Sequence, residues 1–306
     1  DYSTGAEAFL LEPQSTNLVT YSEDFSQWIS LDASGNYTYI SDLVNPDGSI
    51  GGYKISGSGI YYPLSLLIGT ERNIYARTVS GSGTAQLLSH NTNTNNIFNL
   101  TEDWQRFDLN DSPGTAPGTF YIDLRASALT ELYVWGANAT NNQSYPTSYI
   151  PTSGASATRN QELCTDATPV INSEEGTLYF EGSALANDLT YRSIGLNSGS
   201  ATNRLLLTFN NVSNNINFLI QVGGVTQVNI NYASANITSN KKYALKFKQN
   251  DFALWVDGVE VGTDTSGATF TLNTLNNVSF DNANGADNFF GNTKGLKYYP
   301  KALADV

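Results

Sequence analysis

Short strand-like runs, separated by turn signals, recur along the whole chain, and no long segment has the 3.6-residue period of a helix. Lys242-Tyr-Ala-Leu-Lys-Phe-Lys248 alternates polar and apolar residues, so one of its faces is buried. Other runs are Tyr37–Ile40, Gly52–Ile55, Arg72–Val79, Ala85–Ser89, Gln105–Leu109, Thr119–Leu124, Glu131–Trp135, Arg204–Phe209, Ile216–Val222, Thr226–Ile230, Phe252–Val256 and Val278–Phe280. Asn250-Asp251 reads as a tight turn, and Asp257-Gly258 is a strong hairpin signal leading into Val259-Glu-Val261. Asp111-Ser-Pro-Gly-Thr-Ala-Pro-Gly118 is a loop that no helix could tolerate. Regular short strands of this kind indicate an all-β chain of antiparallel β-sandwiches or jelly rolls.

The pattern breaks between about residues 145 and 175, where Tyr145-Pro-Thr-Ser-Tyr-Ile-Pro-Thr-Ser-Gly154 offers little to bury. Strands restart at Gly176. Two tandem sandwiches are therefore expected, over residues 1–160 and 161–306.

Only 14% of the 306 residues are charged, and the polar character comes from Asn, Ser, Thr and Gly, which favour turns and short strands. The net charge of −13 repels phosphate backbones, which argues against nucleic acid as a partner. Residues 1–160 hold six basic against fifteen acidic side chains, and most lysines come after residue 240. No run of about eighteen apolar residues exists, so membrane insertion by a helix is not expected. The chain begins without Met and stops inside an apparent motif, which reads as a piece of a longer polypeptide. Cys164 stands alone, so no internal disulfide can form.

Two segments carry a resemblance. Phe9-Leu-Leu-Glu-Pro-Gln-Ser-Thr-Asn-Leu-Val-Thr-Tyr-Ser-Glu-Asp-Phe-Ser-Gln-Trp28 and Ser148-Tyr-Ile-Pro-Thr-Ser-Gly-Ala-Ser-Ala-Thr-Arg159 resemble the opening and end of carbohydrate-binding-module-like jelly rolls in bacteriophage fibre and spike proteins. Glu102–Phe107 and Leu132–Ala137 resemble internal strands of that family. The second half, through Glu175–Phe180, Phe252–Val261 and Gly295–Leu303, resembles a laminin-G-like (concanavalin-A-like) lectin domain. The resemblance implies a jelly roll followed by a lectin-like sandwich on a virion surface. There it would bind host surface glycans and other virion proteins, as a homo-oligomer. The alternatives are a structural spacer without ligand and the accessory region of a secreted bacterial protein.

Catalytic signatures are sparse. His90 is the single histidine and lies in a polar run, with no Gly-x-Ser-x-Gly elbow and no zincin motif. Glycoside hydrolysis needs two facing carboxylates, and Glu174-Glu175 would point to opposite faces of a strand. A non-catalytic binding protein is expected. Aromatic rings stack on the apolar faces of sugars. Trp104, Trp135 and Trp255 match core positions of the family, and Trp28 reads as structural. The sugar platform is therefore expected in Tyr61 and Tyr62, read as a turn beside Pro63, with Tyr37, Tyr39 and Tyr53 lining the same region. Calcium is a common partner of lectin-like sandwiches. Asp281, Asn282, Asn284 and Asp287 gather suitable oxygen donors on one loop, though without an EF-hand spacing. Asp257, Asp264 and Asp188 are further carboxylate candidates.

Overall fold

A computed structural model describes residues 8–66, 69–89, 96–111, 118–125, 127–165, 168–233 and 236–304. His90 and most of the Asp111–Gly118 loop lie outside these residues. The described chain is all-β and antiparallel, and its one helical element is a single 3-10 turn, Phe25–Gln27. Two compact units form: Gln14–Asn160, and Gln161–Val306 together with Asp1–Pro13.

In the first unit two five-stranded sheets enclose one core. One sheet runs in the order Gln105–Asp111, Thr70–Thr78, Glu131–Thr140, Ile50–Ser56, Asn36–Val44. The other runs Ile29–Ser30, Gly59–Leu66, Gly118–Asp123, Gly83–Ser89, Ile97–Leu100. Phe25, Trp28, Ile55, Ile74, Phe120, Leu132 and Val134 fill the space between them. Ser15–Asn17 pairs with Ala157–Arg159 and ties the two ends of this unit together.

Gly59–Leu66 corrects the expected turn at Tyr61-Tyr62-Pro63: it is an eight-residue strand. Pro63 lacks an N–H for the ladder, and the pairing with Gly118–Asp123 slips its register between Phe120↔Tyr62 and Gly118↔Leu66, at the proline.

The second unit packs a six-stranded sheet on a five-stranded one. The first runs Phe9–Leu11, Gly291–Tyr299, Glu175–Ala184, Lys241–Lys248, Asp251–Val256, Val259–Asp264. Phe9–Leu11, expected in the first domain, thus belongs to the second unit, where it pairs with Gly291–Tyr299. The five-stranded sheet runs Val225–Ala233, Asn215–Val222, Arg204–Phe209, Arg192–Asn197, Asn277–Ser279. Phe180, Phe209, Phe218, Tyr243, Phe247, Phe252 and Phe289 are buried between them. Cys164 is half-buried against this core. Asp257 and Gly258 take φ of 52° and 82°, the left-handed pair that a two-residue hairpin turn needs. The neighbouring turn is made by Gln249-Asn250, with Asp251 already paired to Lys248, one residue earlier than expected.

Close strand packing fixes Gly195. Its strand is paired on both sides, and a Cβ there would collide with the Leu205 carbonyl oxygen and press on a Leu206 methyl. Backbone cannot yield as a side-chain end can, so Gly195→Ala should destabilise the protein by about 2–3 kcal/mol. Chemical denaturation measures this, and a change below about 0.5 kcal/mol would contradict the packing described.

Candidate functional site

The five expected tyrosines do not form one platform. Tyr62 faces inward, with its ring 5.2 Å from Trp28 and its hydroxyl on Thr20. Tyr61 faces outward from the same strand and stacks on Tyr121 at 5.3 Å. Tyr37, Tyr39 and Tyr53 sit on the other sheet, where Tyr39 lies opposite Tyr53 and Tyr37 opposite Ile55. They gather on one face at the edge strand. The Tyr53 ring meets Tyr37 at 6.3 Å and Tyr39 at 5.5 Å, both edge-on, and its inner side meets the core ring Phe25 at 6.0 Å. Its hydroxyl donates to Asp24 Oδ1 at 2.7 Å, and burial together with that carboxylate raises its pKa. Tyr39 is 58% exposed. This is an exposed aromatic shelf, not a cleft, because the rings stand edge to face.

The loop expected to hold calcium is closed on itself. Asp281 Oδ1 accepts from the Ala283 N–H at 2.6 Å, and Asn282 donates its amide to Asp287 Oδ2 at 2.9 Å. Asn282 Oδ1 accepts from the Asn284 N–H, and the Asn282 carbonyl accepts from the Arg204 guanidinium at 2.6 Å. Loop donors and Arg204 thus engage Asp281 Oδ1, Asp287 Oδ2, Asn282 Oδ1 and the Asn282 carbonyl. Among the described residues no three His, Cys, Asp or Glu side chains are grouped to hold a metal. Asp188 is held by Arg192, Asp257 by Lys241 and the Lys242 N–H, and Asp264 by Ser266.

Two of the tryptophans expected in cores are elsewhere. Trp104 lies outside the core, with its indole N–H on the Val44 carbonyl and Arg77 at 5.4 Å from its ring. Trp255 is half-buried on the outer face of the six-stranded sheet. Phe252, Leu254 and Val256 point inward, so Trp255 must point out. Tyr179 is out of phase with the buried Leu178 and Phe180 in the same way.

These two residues make a groove. In register, Tyr179 lies beside Ala244 and Ala244 beside Trp255. Two strand spacings separate the rings at the backbone by about 10 Å, and the small Ala244 leaves the floor open. The groove has a volume of about 360 Å3, and Thr177, Lys242, Lys246 and Leu303 complete its walls. Lys246 is held by Asp251 at 2.8 Å. Lys242 has no ion pair among the described residues, and its charge acts on Glu181 and Asp257. Lys297 lies 5.9 Å from the Tyr179 ring. The Tyr179 hydroxyl donates to Glu181 Oε2 at 2.8 Å; burial and that carboxylate push its pKa up to about 12. Glu181 also accepts from Asn240, so Tyr179 is clamped in position, while no carboxylate among the described residues lines the groove. Among the described residues the groove thus offers two rings, that of Tyr179 clamped by Glu181, with polar groups at its rim and no acid pair.

No family model matches the chain, and no curated protein matches it. Solved structures similar to it include the CBM40 of a Ruminococcus gnavus IT-sialidase bound to α2,3-sialyllactose, at 16% identity and a TM-score of 0.38, covering 44% of this chain and 80% of that one. CBM66 from Bacillus subtilis is similar at 10% identity and a TM-score of 0.31, covering 43% of this chain and 79% of that one. A native glycosidic hydrolase is similar at 11% identity and a TM-score of 0.33, covering 97% of this chain and all (100%) of that one.

Proposed function

We propose that this protein is a non-catalytic glycan-binding protein whose sugar site is the groove between Tyr179 and Trp255. The observation that carries the reading is the juxtaposition of two outward aromatic rings across a small residue, with the Lys242 ammonium at the rim. A pyranose stacks its apolar face on such rings and leaves its hydroxyls for the rim groups. Two-carboxylate hydrolysis has no support in a groove that no carboxylate among the described residues lines. The Tyr37, Tyr39 and Tyr53 shelf is a second contact surface in this proposal, suited to a longer chain passing over it. Placement on a virion surface, with host polysaccharide as the ligand and repeated copies raising weak affinities, rests on the sequence resemblance.

The test is a glycan array of bacterial surface polysaccharides and simple glycans probed with the 306-residue chain, followed by fluorescence titration of each hit. Trp255→Ala should weaken binding about 30-fold, the effect of losing about 2 kcal/mol at a central aromatic anchor. Thermal stability should be nearly unchanged, because the ring is outside the core. Binding that survives both Trp255→Ala and Tyr179→Ala would move the site elsewhere. A silent array would favour the structural-spacer alternative.

A further inference from the structure

The chain is acidic and poor in charge, yet seven of its eight lysines fall between residues 241 and 301. Lys242, Ala244 and Lys246 are two apart along one strand, so their side chains leave the same face of the sheet. That face is the outer one, because Tyr243, Leu245 and Phe247 point into the core. Ala244 is the groove floor between Tyr179 and Trp255, so the floor strand carries a lysine on each side of it. The two lysines stand about 14 Å apart at the backbone. Both line the groove, and among the described residues they are its only charged lining. Across the strands the register sets out one row: Lys297, Tyr179, Ala244, Trp255, Glu260.

The acids of this face sit around the groove. Asp251 holds Lys246, which is 4% exposed, at 2.8 Å. Asp257 pairs with Lys241 at 3.0 Å, accepts from the Lys242 N–H and lies in the field of the Lys242 ammonium. Glu181 accepts from Tyr179 and Asn240, with the Lys242 and Lys294 charges beside it. Lys241, Lys242 and Lys294 thus share two carboxylates. Lys297 is exposed and has the Tyr179 ring at 5.9 Å, with no ion pair among the described residues. Glu260 is exposed on the far side of Trp255. Positive charge therefore gathers on the Tyr179 side of the groove, and the one acid in the row stands on the Trp255 side.

Granted the sugar site proposed for the groove, we propose that its ligand is an anionic glycan, with sugar faces on Tyr179 and Trp255 and acidic groups toward Lys242 and Lys297. Sugar hydroxyls both donate and accept, and amides answer them in both senses. This chain is rich in Asn, yet no amide side chain lines the groove among the described residues. An ammonium has three donors and no acceptor, so it matches a carboxylate or sulfate, which only accepts. Lysine is a compact charge on a flexible stem and asks for no bidentate geometry, so it can follow an acidic group along a glycan chain. Glu260 repels the same ligand, which makes it the residue whose removal improves the site.

The experiment titrates the 306-residue chain with glycan pairs that differ only in charge: uronate oligosaccharides with their carboxyl-reduced forms, and sulfated oligosaccharides with their desulfated forms. The acidic member should bind about tenfold more tightly. Raising salt from about 20 mM to about 500 mM should weaken it several-fold and leave the neutral member unchanged. Lys242→Gln and Lys297→Gln should each weaken the acidic member about fivefold, the scale of one partly exposed ion pair, and Glu260→Gln should strengthen it. All three residues are exposed, so melting curves should stay put. Equal binding of acidic and neutral members, lost in Trp255→Ala, would overturn the anionic ligand and leave the groove as the sugar site. Acidic binding that ignores the Lys242→Gln/Lys297→Gln double variant would place the anion elsewhere and also overturn it. Binding that ignores Trp255→Ala, or none to any pair, would remove the groove itself as the sugar site, and this ligand with it.

Discussion

Asp188→Asn is expected to destabilise the protein by about 3–5 kcal/mol, because it leaves a buried guanidinium without its anion. The Arg192 side chain is 3% exposed. Its two terminal nitrogens meet the two Asp188 oxygens at 2.8 Å each, and Nη1 also donates to the Ala186 and Thr190 carbonyls. Burial raises the Asp188 pKa, but the Arg192 hydrogen bonds and charge outweigh it, so the carboxyl titrates below its usual range. A lowered folded-state pKa contributes stability that is complete above the unfolded value of about 3.9 and is lost as pH falls through the folded value. The stability gap between the wild type and Asp188→Asn should therefore be widest above about pH 5 and shrink in stronger acid. Denaturant titrations at pH 7 and pH 3 measure it. Equal gaps at the two pH values would contradict an ionised Asp188 as the source.

Phe180→Ala should cost a similar 3–5 kcal/mol for a different reason, the loss of a central ring and the void it leaves. Phe180 is fully buried; its ring lies 5.3 Å from Phe289, 6.0 Å from Tyr243 and 6.5 Å from Phe209. Phe209 and Tyr243 project from different strands and Phe289 from the loop before Gly291–Tyr299, so no single side chain can close the gap. The melting temperature of its unit should drop by roughly 10 °C. A drop under about 3 °C would mean that the cluster collapses into the void. Phe180 and Trp255 make a paired comparison, since one anchors the fold and the other is proposed to act on a ligand alone.

Strand existence was legible because alternation and turn chemistry are local. Lys242–Lys248 and the Asp257-Gly258 hairpin lie where the pattern puts them. Pairing over long sequence distance was not legible. Nothing near Phe9-Leu-Leu11 announces that its partner is Gly291–Tyr299, some 280 residues away. Pro63 was read as a turn because a proline usually ends a strand; here a register slip in the pairing accommodates it.

The candidate site was half legible. Aromatic side chains also line the proposed groove, but Tyr61 and Tyr62 were chosen as turn residues and point to opposite faces. The signal for the groove was phase. In Phe252-Ala-Leu-Trp-Val256 the apolar residues two apart define the buried face, which leaves Trp255 on the other one. The same test applied to Leu178-Tyr-Phe180 exposes Tyr179. That the two residues are neighbours across Ala244 depends on register, which no local pattern contains.

The most direct measurement is glycan titration of the full chain against its Tyr179→Ala/Trp255→Ala double variant, with melting curves recorded for both. A paired-ring site predicts saturable binding by the first, none by the second, and overlapping melts. Equal affinity in the two proteins would contradict the groove as the place where sugar is held.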